Sequence, residues 1–259
     1  MEIKKTVQDL TVASNIPLNK RHFLLDLIAP EPLPLMLPGQ FVQVQVKDSP
    51  STFLRRPFSI HQVDYSRRSI RLLIQIKGEG TYHLSTLKKG DQLNTIYPLG
   101  NSFSLPSVSH VLLIGGGCGV APLLFLAQFL NKNRIRPTIL VGFRTKEEVS
   151  EIEAYAASGE VFITTDDGTE GECGLVLDHS ILQKEHLPFE KIYCCGPEAM
   201  MQAVARIARR HGVDCEVSLE NTMACGFGVC LCCVTETDKG NERVCMEGPV
   251  FNTKRLNWQ

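Results

Sequence analysis

Val111-Leu112-Leu113-Ile114-Gly115-Gly116-Gly117-Cys118-Gly119-Val120-Ala121-Pro122 decides how the second half of this chain folds. Four consecutive apolar residues read as a buried strand, the glycines as a tight turn, and Pro122 as an early position of a helix that reaches about Asn131. Residues 111–130 carry no charge, and a stretch of that length approaches the ~20 residues that cross a bilayer. Its four glycines and its proline divide it into strand, turn and helix instead, so no membrane partner is expected. A strand that runs through a glycine turn into a helix lets backbone amides and a helix N-terminus hold the phosphates of a dinucleotide. The turn departs from G-x-G-x-x-G, because Val120 or Pro122 falls where the last glycine belongs. No acidic residue follows about twenty positions later, where 139–143 is apolar. An ordinary Rossmann dehydrogenase is therefore disfavoured.

Towards the C-terminus the pattern repeats. Apolar runs at 138–143, 161–165, 191–195 and 214–219 alternate with helix-like stretches such as 147–157 and 198–211. The reading is a doubly wound parallel-sheet nucleotide domain over 106–220, with ligands beyond the carboxyl ends of its strands, near 115–119, 166–171 and Gly196-Pro197. Towards the N-terminus the period becomes two. In Phe41-Val42-Gln43-Val44-Gln45-Val46-Lys47 the valines alternate with polar residues, which predicts a strand with one buried face. Six such strands, at 6–13, 22–28, 41–47, 58–63, 70–76 and 92–97, predict a six-stranded antiparallel Greek-key β barrel over 1–105.

Composition fits this division. A chain of 259 residues suffices for one or two domains, and 43% apolar with 21% charged residues excludes a disordered chain. The formal net charge of −1 gives no bulk positive field to recruit nucleic acid. The unusual count is 10 cysteines. The first ten residues carry Glu2, Lys4, Lys5 and Asp9 and no apolar leader region, so a reduced, cytoplasmic compartment is expected, with metal or redox chemistry rather than disulfides.

Five of the cysteines lie in the tail, 221–259, where neither period continues. Cys225, Cys230, Cys233 and Cys245 give C-x4-C-x2-C, then x11 and C, the plant-type spacing of a 2Fe–2S cluster. Gly226 and Gly228 allow a tight loop whose amides face the sulfurs. Cys232, inside the x2 gap, is a spectator. A structural four-cysteine zinc site, or buried thiols acting as small hydrophobes, would use the same residues. Cys173, Cys194 and Cys215 read as core. His61, His83, His110, His179, His186 and His211 lack metal-like spacing and are expected on surfaces or loops.

Two further segments pair a guanidinium and a hydroxyl, in Arg55-Arg56-Pro57-Phe58-Ser59-Ile60, with a glycine-led helix start, in Lys77-Gly78-Glu79-Gly80-Thr81. Together they can hold a pyrophosphate. With Gly-Gly-Gly-x-Gly-x-Ala-Pro-Leu and Cys195-Gly196-Pro197, they make the chain resemble the ferredoxin-NADP reductase superfamily. Within it, Ser218-Leu219-Glu220, Met223-Ala224-Cys225-Gly226, the cysteine spacing and Gly248-Pro249-Val250-Phe251 resemble the electron-transfer subunits of class 1B dihydroorotate dehydrogenases.

The resemblance implies FAD at Arg56, Pro57, Phe58 and Ser59, at Leu73, Ile74 and Gln75, and at Gly80 and Thr81. It implies NAD(H) over Gly116, Gly117, Gly119 and Ala121, with Cys195, Gly196 and Pro197 near the reactive ring, and a 2Fe–2S cluster on Cys225, Cys230, Cys233 and Cys245. Phe58 replaces the smaller apolar residue or tyrosine often found before the serine, and Cys232 stands where a small residue is usual. Cys118 and Cys195 are placed to touch the nicotinamide or simply to pack beside tight turns. No basic pair follows Val141, which points to NADH, while Arg144 keeps NADPH open. The implied partner is an FMN-containing subunit that oxidises dihydroorotate to orotate, in an assembly of two plus two subunits, with NAD+ as the final acceptor. A related NAD(P)H:acceptor reductase subunit, of ferredoxin transhydrogenase, sulfide or sulfite reductase, or hydrogenase type, is the alternative.

Overall fold

The period-two segments of the first hundred residues become one antiparallel sheet. The structure, a computed structural model, describes residues 5–47, 49 and 51–258; Glu2 and Lys4 of the charged N-terminus lie outside the described residues. The strands are β1 (Thr6–Pro17), β2 (His22–Ile28), β3 (Phe41–Val44), β4 (Arg56–Ser59), β5 (Gln62–Asp64), β6 (Ser69–Gln75) and, after a short helix α1 (Glu79–Ser85), β7 (Gln92–Leu99). Their order is β4-β3-β7-β1-β2-β6-β5, and every neighbouring pair is antiparallel. Leu10, Val12, Leu25, Leu27, Ile70, Leu72 and Ile74 are wholly buried.

Seven strands replace the expected six because the segment read as one strand at 58–63 is bent. Arg56–Ser59 pairs with β3, and Gln62–Asp64 pairs with β6. Between them, the Ile60 amide donates to the Gln40 carbonyl (3.0 Å) and the His61 amide to the Arg71 carbonyl (3.0 Å). The two edge strands are thus consecutive in the chain, and β4 lies against β6. The sheet curls on itself and leaves little free edge. His61, expected at a surface or in a loop, is wholly buried at this bend.

β3 also departs from its expected alternation. Phe41, Val42, Gln43 and Val44 are all buried, Gln43 completely. The face assigned to solvent is covered, because the cysteine-bearing tail packs over it.

The second unit begins with β8 (Val111–Gly116), a 3-10 turn (Gly117–Val120) and α2 (Ala121–Lys132), as the opening dodecapeptide requires. There follow β9 (Thr138–Phe143), α3 (Ile152–Ala156), β10 (Glu160–Thr165), β11 (Glu172–Cys173), β12 (Lys191–Cys195), α4 (Glu198–His211) and β13 (Asp214–Ser218). The pairs in the order β11-β10-β9-β8-β12-β13 are all parallel. The helix expected at 147–157 is only a 3-10 turn (Lys146–Glu148) and the five residues of α3, since Val149 is extended and Glu151 is left-handed (φ 58°). Cys194 and Cys215 are core, as expected, whereas Cys173 is exposed on the edge strand β11. His179, expected on a surface or in a loop, lies between two 3-10 turns and is buried with its ring edge-on to Phe162.

The tail forms β14 (Val234–Thr237) and β15 (Gly240–Arg243), a two-stranded sheet, and then β16 (Val250–Asn252). β16 pairs antiparallel with β13, so the nucleotide-type sheet is mixed rather than purely parallel. The chain divides into two compact units. One comprises Met1–Ser102, Glu220–Thr235 and Asn241–Pro249; the other comprises Phe103–Leu219, Glu236–Gly240 and Val250–Gln259. The cysteine loop therefore belongs with the barrel, while the last strand belongs with the parallel sheet. No helix among the described residues is long and apolar enough to cross a membrane.

Candidate functional site

The loop that carries Cys225 and Cys230 has no regular secondary structure, and its shape is set by backbone amides that turn towards sulfur. Cys225 Sγ accepts from the amides of Phe227 (3.5 Å), Val229 (3.3 Å) and Cys230 (3.5 Å). Cys230 Sγ accepts from the Cys232 amide (3.5 Å), and Cys233 Sγ from the Cys245 amide (3.4 Å). Burial disfavours the Cys225 thiolate, but the amide donors and the neighbouring Cys230 thiol outweigh it and hold the Cys225 pKa down to about 6. Cys245 is pushed the other way, to about 12, by burial and by Cys233.

Cys225, Cys230, Cys233 and Cys245 are all free thiols. Among the described residues, no three metal-binding side chains converge as they would around one ion. The amides directed at Cys225 and Cys233 are the donors an anionic cluster needs. The Cys232 side chain is exposed.

The barrel unit also holds the tail in place. Arg243 donates from Nη1 to the Gly228 carbonyl (3.1 Å) and from Nε to Glu247 (3.1 Å). The Asn101 amide donates to the Gly248 carbonyl (2.6 Å), and Asn101 Nδ2 to the Glu247 carbonyl (2.8 Å).

In the same unit, β4 presents Arg56, Pro57, Phe58 and Ser59 half-buried. A Cβ on Gly80 would lie 2.8 Å from Thr52 Cγ2 and 3.5 Å from Arg56 Nε, so the first turn of α1 meets the Arg56 side chain. Thr81 Oγ1 accepts from the amides of Lys77 (2.9 Å) and Gly78 (3.1 Å) and donates to the Gly78 carbonyl (2.9 Å), which fixes that turn. Leu73, Ile74 and Gln75 end β6, which β4 approaches. The three separate segments named in the sequence are thereby brought together.

In the second unit, β8 and β12 are adjacent, with Gly115 opposite Cys195. The chain proceeds from β8 through β9 and β10 to one side and returns to β12 on the other, so the sheet reverses direction between β8 and β12. Ligands of open α/β sheets sit at such a point. A Cβ on Gly119 would stand 2.4 Å from the Cys195 carbonyl oxygen and 2.5 Å from Gly196 Cα; one on Gly116 would stand 3.2 Å from Pro197 Cδ. Only glycine lets the two loops interlock. Tyr155 Oη donates to the Val120 carbonyl (2.8 Å) and braces the turn. Burial, with the negative charge of Glu151, lifts this phenol well above its ordinary pKa, so it stays a donor.

Residues 220–257 match the model of the iron-sulfur cluster binding domain of dihydroorotate dehydrogenase B, and 113–206 match the oxidoreductase NAD-binding domain. The electron transfer subunit of dihydroorotate dehydrogenase B (NAD+) from Fusobacterium nucleatum is 35% identical over 252 residues, covering 95% of this chain and 96% of that protein. The chain belongs to the family of dihydroorotate dehydrogenase B (NAD+) electron transfer subunits. The family's subunit from Caldanaerobacter subterraneus is 40% identical over 218 residues, 83% of this chain and 84% of that one. A structure described as an NADH-dependent reduced ferredoxin-NADP oxidoreductase superposes with a TM-score of 0.87 at 28% identity, over 96% of this chain and 90% of that one.

As a member of this family of electron transfer subunits, the chain carries three relevant residues that sequence reasoning passed over. Arg243 gave no signal beyond its place twelve residues or so after the loop. Tyr155 sat in a stretch read as an ordinary helix. Gln43 was assigned to solvent by its period, and only the contact of Gly226 with its side chain reveals its position.

Proposed function

We propose that this chain relays electrons between NAD(H), FAD and a 2Fe–2S cluster, and exchanges them with an FMN-containing partner subunit where dihydroorotate becomes orotate in pyrimidine biosynthesis. FAD is read at Arg56, Pro57, Phe58, Ser59, Leu73, Ile74, Gln75, Gly80 and Thr81. NAD(H) is read at Gly116, Gly117, Gly119, Ala121, Cys195, Gly196 and Pro197, and iron at Cys225, Cys230, Cys233 and Cys245. The observation that carries the reading is the set of backbone amides turned to the sulfurs of Cys225, Cys230 and Cys233 inside the same unit as β4. The residues read for FAD would hold a group that supplies both hydride exchange with nicotinamide and single-electron exchange with an iron-sulfur group.

The residues of the chain provide binding and electrostatics. Arg56 and the first turn of α1 offer positive charge and amides to a pyrophosphate. The amides of Phe227, Val229 and Cys230 offset thiolate charge at Cys225. Phe227, Val229 and Leu231 are 45%, 74% and 62% exposed around the same loop. Apolar side chains so placed favour a docking surface for the partner beside the cluster.

An assembly of two plus two subunits, a cytoplasmic location, and divisions of FAD barrel 1–105, NAD domain 106–220 and cluster segment 221–259 belong to the same reading. A Greek-key course of the barrel strands is part of the same reading. The likeness to the ferredoxin-NADP oxidoreductase structure supports, as a second reading, a ferredoxin-type acceptor; co-purification with an orotate-forming subunit decides between them. The residue assignments are tested by Cys230→Ser. NADH should still reduce the bound FAD at near the wild-type rate, while electron delivery to the partner is lost; coupled turnover retained in the variant refutes the relay.

A further inference from the structure

We propose that Gln43 is a positioning residue of the iron-sulfur site, its carboxamide N–H donating to the sulfur-bearing group from the barrel side of the Cys225–Cys230 loop. The inference rests on the reading of Cys225, Cys230, Cys233 and Cys245 as cluster ligands.

Two observations carry it. Gln43 is completely buried, and neither Nε2 nor Oε1 finds a hydrogen-bond partner among the described residues. A carboxamide buried without a partner is costly unless something polar meets it. Independently, the amide lies directly against the ligand loop. A Cβ on Gly226 would stand 2.6 Å from both Cδ and Nε2 of Gln43, and 3.0 Å from Oε1. Gly226 has φ 77°, in the left-handed region, and immediately follows Cys225. The loop is therefore built to sit on this amide at a distance no side chain would permit.

Chemistry selects the donor role. Thiolates and sulfides accept hydrogen bonds, and the loop already turns three amides to Cys225 Sγ. Gln43, on β3 and opposite Pro57 of β4, lays a side-chain donor against that loop. A donor to an iron-sulfur group stabilises the reduced, more negative state over the oxidised one and raises its potential. Gln43 would thus set the driving force for electron exchange between the flavin strand and the cysteine loop without touching substrate.

The test uses the full-length holoprotein and Gln43→Leu, which keeps the volume and removes the donor. Iron, sulfide and FAD contents should match wild type, while the equilibrium constant for one-electron reduction of the cluster falls about tenfold, a downward shift of ~59 mV, with altered EPR g-values. An unchanged potential and spectrum in a cluster-loaded variant overturns the proposal, as does a shift confined to the FAD. Wild-type protein lacking iron and sulfide overturns instead the ligand reading beneath it. Should the variant not retain its cluster, wild-type protein labelled with glutamine bearing 15N only in the side-chain amide settles the question. The reduced cluster should show 15N hyperfine coupling by ENDOR; its absence overturns the proposal.

Discussion

At the residue scale, the site depends on positions where the backbone of one loop touches that of another. Gly119 is the clearest. Its Cβ position is occupied by the Cys195 carbonyl and Gly196, which are main-chain atoms and cannot swing aside as a flexible side chain would. Gly119→Ala must separate the loops after β8 and β12. The expected outcome is protein that retains FAD and iron and is reduced normally by dithionite, yet whose reduction by NADH is at least tenfold slower; stopped-flow traces at the flavin band check it. The sequence makes Gly119 visible as part of a glycine cluster, but the reason for it lies in a loop seventy-six residues away. Gln43 is the opposite case. Its alternation with valines is genuine, and the solvent face that alternation implies is covered by a segment that has no periodicity to announce it.

At the scale of elements, β16 is held to β13 by more than its ladder. Lys191 Nζ bonds Asp214 Oδ2 (2.5 Å) and Glu216 Oε1 (2.8 Å), while Asn252 Nδ2 donates to Asp214 Oδ1 (2.8 Å) and Lys254 Nζ stands 3.3 Å from the same oxygen. Burial opposes ionisation of Asp214, but hydrogen bonds from Lys191 and Asn252 and the Lys191 charge prevail and hold its pKa down to about 2. A depressed carboxylate adds stability above its unfolded pKa and loses it as pH falls through the folded one. The stability Asp214 contributes should therefore be full at neutral pH, decline below the ordinary aspartate range and be gone around pH 2. Thermal unfolding of wild type against Asp214→Asn checks this: the melting temperatures should differ at pH 7 and converge as pH approaches 2. Because Asp214 is more than a third exposed, solvent screening keeps the difference modest.

Elements also show where sequence reading succeeds. Parallel strands buried on both faces give near-continuous apolar runs, so β8, β9 and β12 fall where those runs lie, whereas β13 carries Asp214 and Glu216 among its apolar residues. The helix expected at 147–157 fails because its Glu-rich composition carries helix propensity while Val149, Ser150 and the left-handed Glu151 break the turn. The bend at Ile60-His61 was invisible because a strand that changes partners keeps its period.

At the scale of the whole molecule, the tail is divided between the two units. It contributes the cysteine loop to the barrel unit and β16 to the mixed sheet. Cysteine spacing revealed the redox group in this tail, whereas its division between units could not be read, since pairing of β16 with β13 depends on long-range register. In the relay proposed above, this one chain links nicotinamide chemistry to an orotate-forming partner through flavin and cluster. The most direct measurement is reconstitution of the full-length holoprotein with its candidate FMN-bearing subunit, following NADH absorbance on addition of dihydroorotate and NAD+. The account predicts NADH formation in step with orotate, requiring both subunits and abolished by Cys230→Ser. Coupled turnover in that variant, or orotate formed by the complete mixture with no NADH, would contradict it.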